Sequence, residues 1–81
     1  MDIGVEISLY PLNADYIAPI QDFIDRLNTH AGLKIVTNSM STQVFGEYGR
    51  VMQVLNVELR RTFETNDKAV FAMKVLGPLA V

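Results

Sequence analysis

The sequence predicts an α+β fold in which four antiparallel strands form one sheet and two helices pack on one of its faces. Three observations predict this class. The segment from Ile3 to Leu9 is apolar at every second position, as in a strand with one buried face. Two later segments are apolar at helical spacing. Short β-rich runs lie before, between and after them, so the predicted order is βαββαβ.

The first strand, predicted over Val5 to Leu12, is the element around which the chain is organised. Pro11 is expected to end this strand, because a proline has no N–H to donate to a neighbouring strand. The face away from the core carries a carboxylate, a hydroxyl and a phenol in a row, from Glu6, Ser8 and Tyr10. A charged side chain on a central strand needs water, a partner or a ligand, so this face is the first candidate functional surface.

The first helix is predicted to begin near Tyr16 to Ala18, after the helix-start residues Asn13 and Asp15. Pro19 then lies in the first turn, where proline is tolerated. Gly32 is expected to close the helix in the left-handed conformation. The predicted buried stripe comprises Ile17, Ile20, Phe23, Ile24 and Leu27.

A hairpin follows, with strands predicted over Leu33 to Thr37 and Met40 to Phe45 and a turn at Asn38-Ser39. Both faces of the third strand are partly apolar, and we favour the register that places Val44 inward. Gly46-Glu47 is expected to end this strand and start the second helix.

The second helix is predicted to end in the turn Thr65-Asn66-Asp67. Its predicted buried stripe comprises Val51, Met52, Leu55, Leu59 and Phe63. The fourth strand spans Ala69 to Leu76, with Lys74 on the face away from Ala69, Phe71, Met73 and Val75. Two right-handed crossovers give the ferredoxin-like arrangement, with strands one and three central and one sheet face open.

Composition narrows the function classes. The 81 residues predict a single domain, 1–81, with little room for an internal ligand cavity, so a site is expected on the sheet face or between subunits. A chain that is 49% hydrophobic and only 20% charged suggests a homo-oligomer. A net charge of −2 without a basic run argues against nucleic-acid binding. With no cysteine, no signal-peptide pattern and no long apolar stretch, we expect a cytoplasmic protein that does not contact membranes.

No residue pattern predicts catalysis or a metal centre. His30, the only histidine, is placed in the last turn of the first helix, where a positive charge suits the helix dipole. Without a second histidine or a cysteine we expect no conventional zinc site, and no acidic cluster has calcium-loop spacing. Motifs for a nucleophile or a phosphate loop are missing. We therefore expect no enzymatic activity, no catalytic residue and no cofactor.

The candidate binding residues lie on the first strand and in the hairpin. Glu6 is the best single candidate for a ligand-binding residue. An equally good interpretation is a salt bridge between Glu6 and Lys74, and the two roles are compatible. Tyr10 either packs at the strand end or stacks on a planar ligand. The polar run from Asn38 to Gln43 is either a solvated edge or a set of donors and acceptors for a heterocycle. The candidate ligand-binding residues are Glu6, Ser8, Tyr10, Asn38, Ser41 and Thr42.

The sequence resembles the YkoF-like thiamine-binding family over nearly the whole chain. The most specific matches are E-I-S-L-Y-P-L at positions 6–12 and M-S-T-x-x-x-G-E at positions 40–47, and neither is a catalytic signature. The resemblance implies a ferredoxin-like domain that binds thiamine or its hydroxymethylpyrimidine moiety without chemistry. It also implies dimers or tetramers built through their sheets. Many relatives have glycine where this chain has Ser41, a difference that tunes or closes the pocket.

Three function classes stay open. In a binding protein, Glu6 would complement the thiazolium cation, Tyr10 would stack on a ring, and the hairpin residues would pair with the pyrimidine. In an oligomeric scaffold or regulatory protein without a small ligand, Glu6 and Lys74 would form interface ion pairs. In a small enzyme, Glu6 would act as a general base.

Overall fold

A computed structural model describes residues 1–80 of the chain; Val81, the last residue of the predicted domain, lies outside the described residues. The elements are β1 (Asp2–Pro11), α1 (Ile17–Leu27), β2 (Lys34–Thr37), β3 (Thr42–Glu47), α2 (Tyr48–Thr65) and β4 (Ala69–Leu76). The four strands form one antiparallel sheet in the order β2-β3-β1-β4. The predicted α+β, ferredoxin-like arrangement is confirmed, with β1 and β3 at the centre.

The core lies between one face of the sheet and the two helices. The alternation in β1 is buried as predicted, and Val44 of β3 is fully buried opposite Val5, which confirms the inward register. Burying each such aliphatic side chain contributes about 1.5–3 kcal/mol. The buried apolar residues are Ile3, Val5, Ile7, Leu9, Phe23, Leu27, Val44, Val51, Val54 and Leu55.

Both predicted helical stripes are wrong in part. Ile17 is 67% exposed, because it lies in the first turn of α1, outside the contact with the sheet. In α2 the line of buried residues includes Glu58 and Thr62, which the prediction left out because both are polar. That line places Met52 and Phe63 on the flank of the helix, and Phe63 is 52% exposed.

The helix ends also differ from the prediction. Gly32 has the expected positive φ of 83°, but α1 has already ended at Leu27, so Gly32 shapes the turn into β2 instead of closing the helix. Asn13 does not cap α1: its Oδ1 accepts a hydrogen bond from the Asp15 amide, which forms a turn ahead of the helix. The strand β3 continues through Glu47, whose side chain caps α2 by accepting from the Arg50 amide at 3.0 Å.

Candidate functional site

The open face of the sheet carries the polar side of β1. Glu6 lies opposite Lys74 of β4 and Gln43 of β3, and Tyr10 lies opposite Val70. A shallow depression of about 360 Å³ is formed where β1, β4 and the β2–β3 loop meet. We call it the open-face depression; it is lined by Glu6, Ser8, Tyr10, Met40, Ser41, Ala72, Met73 and Lys74.

Glu6 is held in a defined orientation but stays open to water. The Ser41 hydroxyl donates a hydrogen bond to Glu6 Oε2 at 3.1 Å. The predicted pair with Lys74 is present but weak: Nζ lies 4.0 Å from Oε1, and the two side chains are 88% and 46% exposed. A pair with this exposure adds between about 0 and 1 kcal/mol to stability. Ser41 therefore orients the Glu6 carboxylate, and Lys74 pairs with it only weakly.

A second groove, of about 330 Å³, lies beside the depression, between the end of β1, α1 and the hairpin loop. We call it the side groove. It shares Ser8, Tyr10, Met40 and Ser41 with the open-face depression. Its remaining lining residues are Ile7, Leu9, Tyr16, Ile20, Phe23, Ile24, Thr37, Asn38, Ser39 and Thr42. The six candidate residues thus lie around the depression and the groove. Glu6 lines the depression but not the groove, and Asn38 and Thr42 line the groove but not the depression.

The sequence model of the YKOF-related family matches residues 2–75. The chain belongs to this family. No protein of curated function matches the chain.

Several solved structures share the fold of this YKOF-related chain. A Streptococcus pneumoniae protein superposes with a TM-score of 0.88 at 22% identity, covering 98% of this chain and 89% of that one. A proposed thiamine biosynthesis/salvage protein of Thermotoga maritima superposes with a TM-score of 0.82 at 19% identity, and the match covers 93% of this chain and 82% of that one. A hypothetical protein of Methanocaldococcus jannascii superposes with a TM-score of 0.81 at 20% identity, and the match covers 96% of this chain and 81% of that one. At these identities the likeness shows a common fold.

Two of the predicted site residues also have structural roles in this YKOF-related chain. Asn38 Oδ1 accepts hydrogen bonds from the amides of Met40 at 2.8 Å and Ser41 at 3.1 Å, which orders the hairpin loop. Thr42 is buried, and its Oγ1 lies 3.2 Å from Oγ1 of Thr37 on the neighbouring strand. Of the other predicted site residues, Ser8, Tyr10 and Ser41 line the open-face depression with Glu6.

The structure also contains a buried ionic cluster that sequence reasoning missed. Glu58 of α2 is fully buried. Its Oε1 accepts from Arg26 Nη1 at 2.6 Å, and its Oε2 lies 2.6 Å from His30 Nε2. A second Arg26 nitrogen, Nη2, donates to the Thr62 hydroxyl at 2.7 Å. His30 therefore follows α1 and binds α2, instead of serving as the surface residue at the helix end that the sequence suggested.

Two opposing effects set the pKa of Glu58. Desolvation by burial raises the pKa, but hydrogen bonds from His30 and Arg26, with the positive charges of Arg26 and Arg61, lower it more. The net result is a pKa below the ordinary value of 4.5, so Glu58 is ionised at neutral pH. This cluster ties α1 to α2 on the side of the helices away from the open face.

Two further features bear on the site. Among residues 1–80, no group of three or more histidine, aspartate or glutamate side chains is arranged to hold a metal ion. In the same part of the chain, no helix combines the length and the apolar character needed to cross a membrane.

Proposed function

We propose that this YKOF-related chain binds thiamine or its hydroxymethylpyrimidine moiety, without converting it, at the open-face depression and the adjoining side groove. The observation that carries the proposal is the Glu6 carboxylate, oriented by Ser41 and flanked by the exposed ring of Tyr10. The fold neighbour from Thermotoga maritima, a proposed thiamine biosynthesis/salvage protein, supports the same ligand class.

The chemistry of the ligand matches the groups on this surface. Thiamine joins a cationic thiazolium ring to a planar aminopyrimidine, so a carboxylate complements one end and hydroxyls complement the other. Glu6 attracts the cation, and Tyr10 offers an aromatic face to either ring. The hydroxyls of Ser8 and Ser41 lie between the depression and the groove and are within the reach of one ligand that occupies both. We expect binding without turnover.

We further propose that two or four copies associate through their sheets. Apolar side chains remain exposed on the open face of β4, at Val70 and Leu76, and on the outer strand β2, at Val36. Exposed apolar side chains grouped on one sheet face are typical of a surface that packs against another protein surface. A second copy stacked there would also cover Glu6 and shield a bound cation from water. The same exposure supports the alternative function, a scaffold or regulatory subunit without a small ligand.

Glu6→Gln separates the three functions. We expect thiamine affinity, measured by calorimetric titration, to fall about fivefold, because a half-exposed charge pair contributes up to about 1 kcal/mol. The oligomeric state should not change. The matched control is Glu64→Gln on α2, an exposed carboxylate 3.5 Å from Arg60 that lines neither the depression nor the groove.

Each alternative gives a different result for Glu6→Gln. A scaffold would show no thiamine heat with either chain, and its oligomeric state would be altered by the substitution. An enzyme would keep its affinity and lose turnover. If Glu6→Gln binds thiamine as the unaltered chain does, Glu6 is not part of the site.

A further inference from the structure

The ladder between β1 and β3 stops before the end of β1. Its last pair is Ile7 with Thr42, and the same register would place Met40 opposite Leu9. The hairpin loop turns Met40 away: its amide donates to Asn38 Oδ1 at 2.8 Å, and its carbonyl accepts from the Ser8 hydroxyl at 3.5 Å. In the part of the chain that the structure describes, no strand continues beside Leu9.

The N–H and C=O groups of successive residues in β1 point alternately toward β4 and toward β3. This alternation shows where the N–H and C=O of Leu9 point. The Leu12 amide donates to the Lys68 carbonyl on the β4 side, whereas the Met1 carbonyl accepts from the Tyr48 amide on the β3 side. Even-numbered residues of β1 therefore bond toward β4, and odd-numbered residues bond toward β3. The N–H and C=O of Leu9 accordingly face the side groove, which Leu9 lines.

Leu9 is only 7% exposed, so its backbone donor and acceptor lie at the floor of the groove. Buried backbone groups almost always have partners, and here the missing ladder partner leaves one donor and one acceptor side by side. We propose that this pair binds the donor–acceptor edge of the ligand's planar ring. A ring nitrogen would accept from the Leu9 N–H, and the adjacent exocyclic amine would donate to the Leu9 C=O. This inference rests on the proposed function and names the part of the ligand, a 4-aminopyrimidine, that the side groove selects.

The dimensions of the gap favour a small ring over a peptide strand. The unpaired edge extends only from Leu9 to Pro11, which carries no N–H, so an added strand would gain one residue pair. A groove of about 330 Å³ lies at the lower end of the roughly 300–1,000 Å³ typical of small-molecule sites. The ring faces of Tyr10 and Tyr16 and the side chain of Ile20 supply apolar walls for a planar heterocycle.

Amide exchange measured by NMR on the full-length chain tests the proposal. In the free protein, we expect the Leu9 amide to exchange faster than the amides of Val5 and Leu12. The Val5 amide faces β3, and the Leu12 amide donates to the Lys68 carbonyl, so both are protected. Saturating hydroxymethylpyrimidine should slow Leu9 exchange at least tenfold and leave Leu12, the internal control, unchanged. An analogue with methyl in place of the 4-amino group should bind roughly ten- to a hundredfold more weakly, because it leaves the Leu9 carbonyl unpaired.

The outcomes separate this inference from the proposed function. If hydroxymethylpyrimidine binds and shifts resonances around Glu6 while Leu9 exchange is unchanged, the backbone assignment is wrong and the binding function stands. Equal affinity for the methyl analogue, or strong protection of the Leu9 amide in the free protein, also overturns the assignment. If neither pyrimidine binds, the proposed function fails and this inference fails with it.

Discussion

The Ser41 hydroxyl donates a hydrogen bond to Oε2 of Glu6, joining the hairpin loop to β1 across a separation of 35 residues. The bond leaves Oε1 facing solvent and the weakly held ammonium of Lys74. Ser41 thus orders the carboxylate without covering it. On the interpretation proposed above, Ser41 tunes the site and does not close it.

Removing this hydroxyl should weaken thiamine binding. We expect Ser41→Ala to reduce affinity by roughly two- to tenfold, the effect of one hydrogen bond of about 0.5–1.5 kcal/mol. Thermal stability should change little, because the bond lies at an exposed position. Calorimetric titration of both chains measures the difference. A gain in affinity would mean instead that the hydroxyl competes with the ligand for Glu6.

The exposed ring of Tyr10 should contribute by stacking. We expect Tyr10→Ala to lower ligand affinity by roughly two- to tenfold, since an aromatic contact adds about 0.5–1.5 kcal/mol, whereas Tyr10→Phe should keep most of it. Tyr48→Ala is the control, because Tyr48 is also exposed but lies at the start of α2 outside both lining sets. Equal losses from Tyr10→Ala and Tyr48→Ala would exclude stacking at Tyr10.

Gly4 makes room for a ring on the open face. A Cβ at position 4 would lie 2.9 Å from Phe45 Cε1, so Gly4→Ala must displace that ring. We expect a loss of about 1–3 kcal/mol in the free energy of unfolding, measured by urea denaturation. The double variant with Phe45→Leu should recover part of the loss, because the shorter side chain leaves space. A stability loss from Gly4→Ala that persists in the Phe45→Leu background would point to the backbone at position 4.

The buried Glu58 should make stability depend on acid pH. Its pKa in the folded chain is lowered, so its contribution is complete above the unfolded-state value, near 4.5, and is lost as pH falls through the folded value. Glu58→Gln should destabilise the chain at neutral pH by roughly 3–5 kcal/mol, because Arg26 loses its buried partner.

The acid dependence of unfolding provides the check on Glu58. Below pH 4.5 the stability difference between the unaltered chain and Glu58→Gln should shrink. The exposed control Glu64→Gln should change stability by less than about 1 kcal/mol at any pH. A difference between the Glu58→Gln and unaltered chains that is constant from pH 7 to pH 3 would show that Glu58 acts through packing alone.

Local patterns were enough to predict most of the fold. The alternation in β1 determined its buried face, and β4 ends at Leu76, as predicted. The buried line of α2 was harder to predict, because Glu58 and Thr62 are polar and their partner Arg26 lies on another helix. A charged residue is expected at the surface until its partners are known, and no local pattern identifies a partner 32 positions away.

The candidate site was predictable to a similar extent. The period of two placed Glu6, Ser8 and Tyr10 on one face, and the hairpin brought Ser41 beside them. The sequence did not show that the β1–β3 ladder would stop at Thr42, because this depends on how Asn38 bonds within the loop. The unpaired backbone of Leu9 is therefore a property of the fold.

Titration of the purified chain with thiamine and with hydroxymethylpyrimidine tests the central claim most directly. The oligomeric state should be measured in the same buffer. We expect saturable heat with micromolar or tighter affinity for at least one compound, from a dimer or a tetramer. No heat and no thermal shift with either compound would contradict the binding function and favour an oligomeric scaffold.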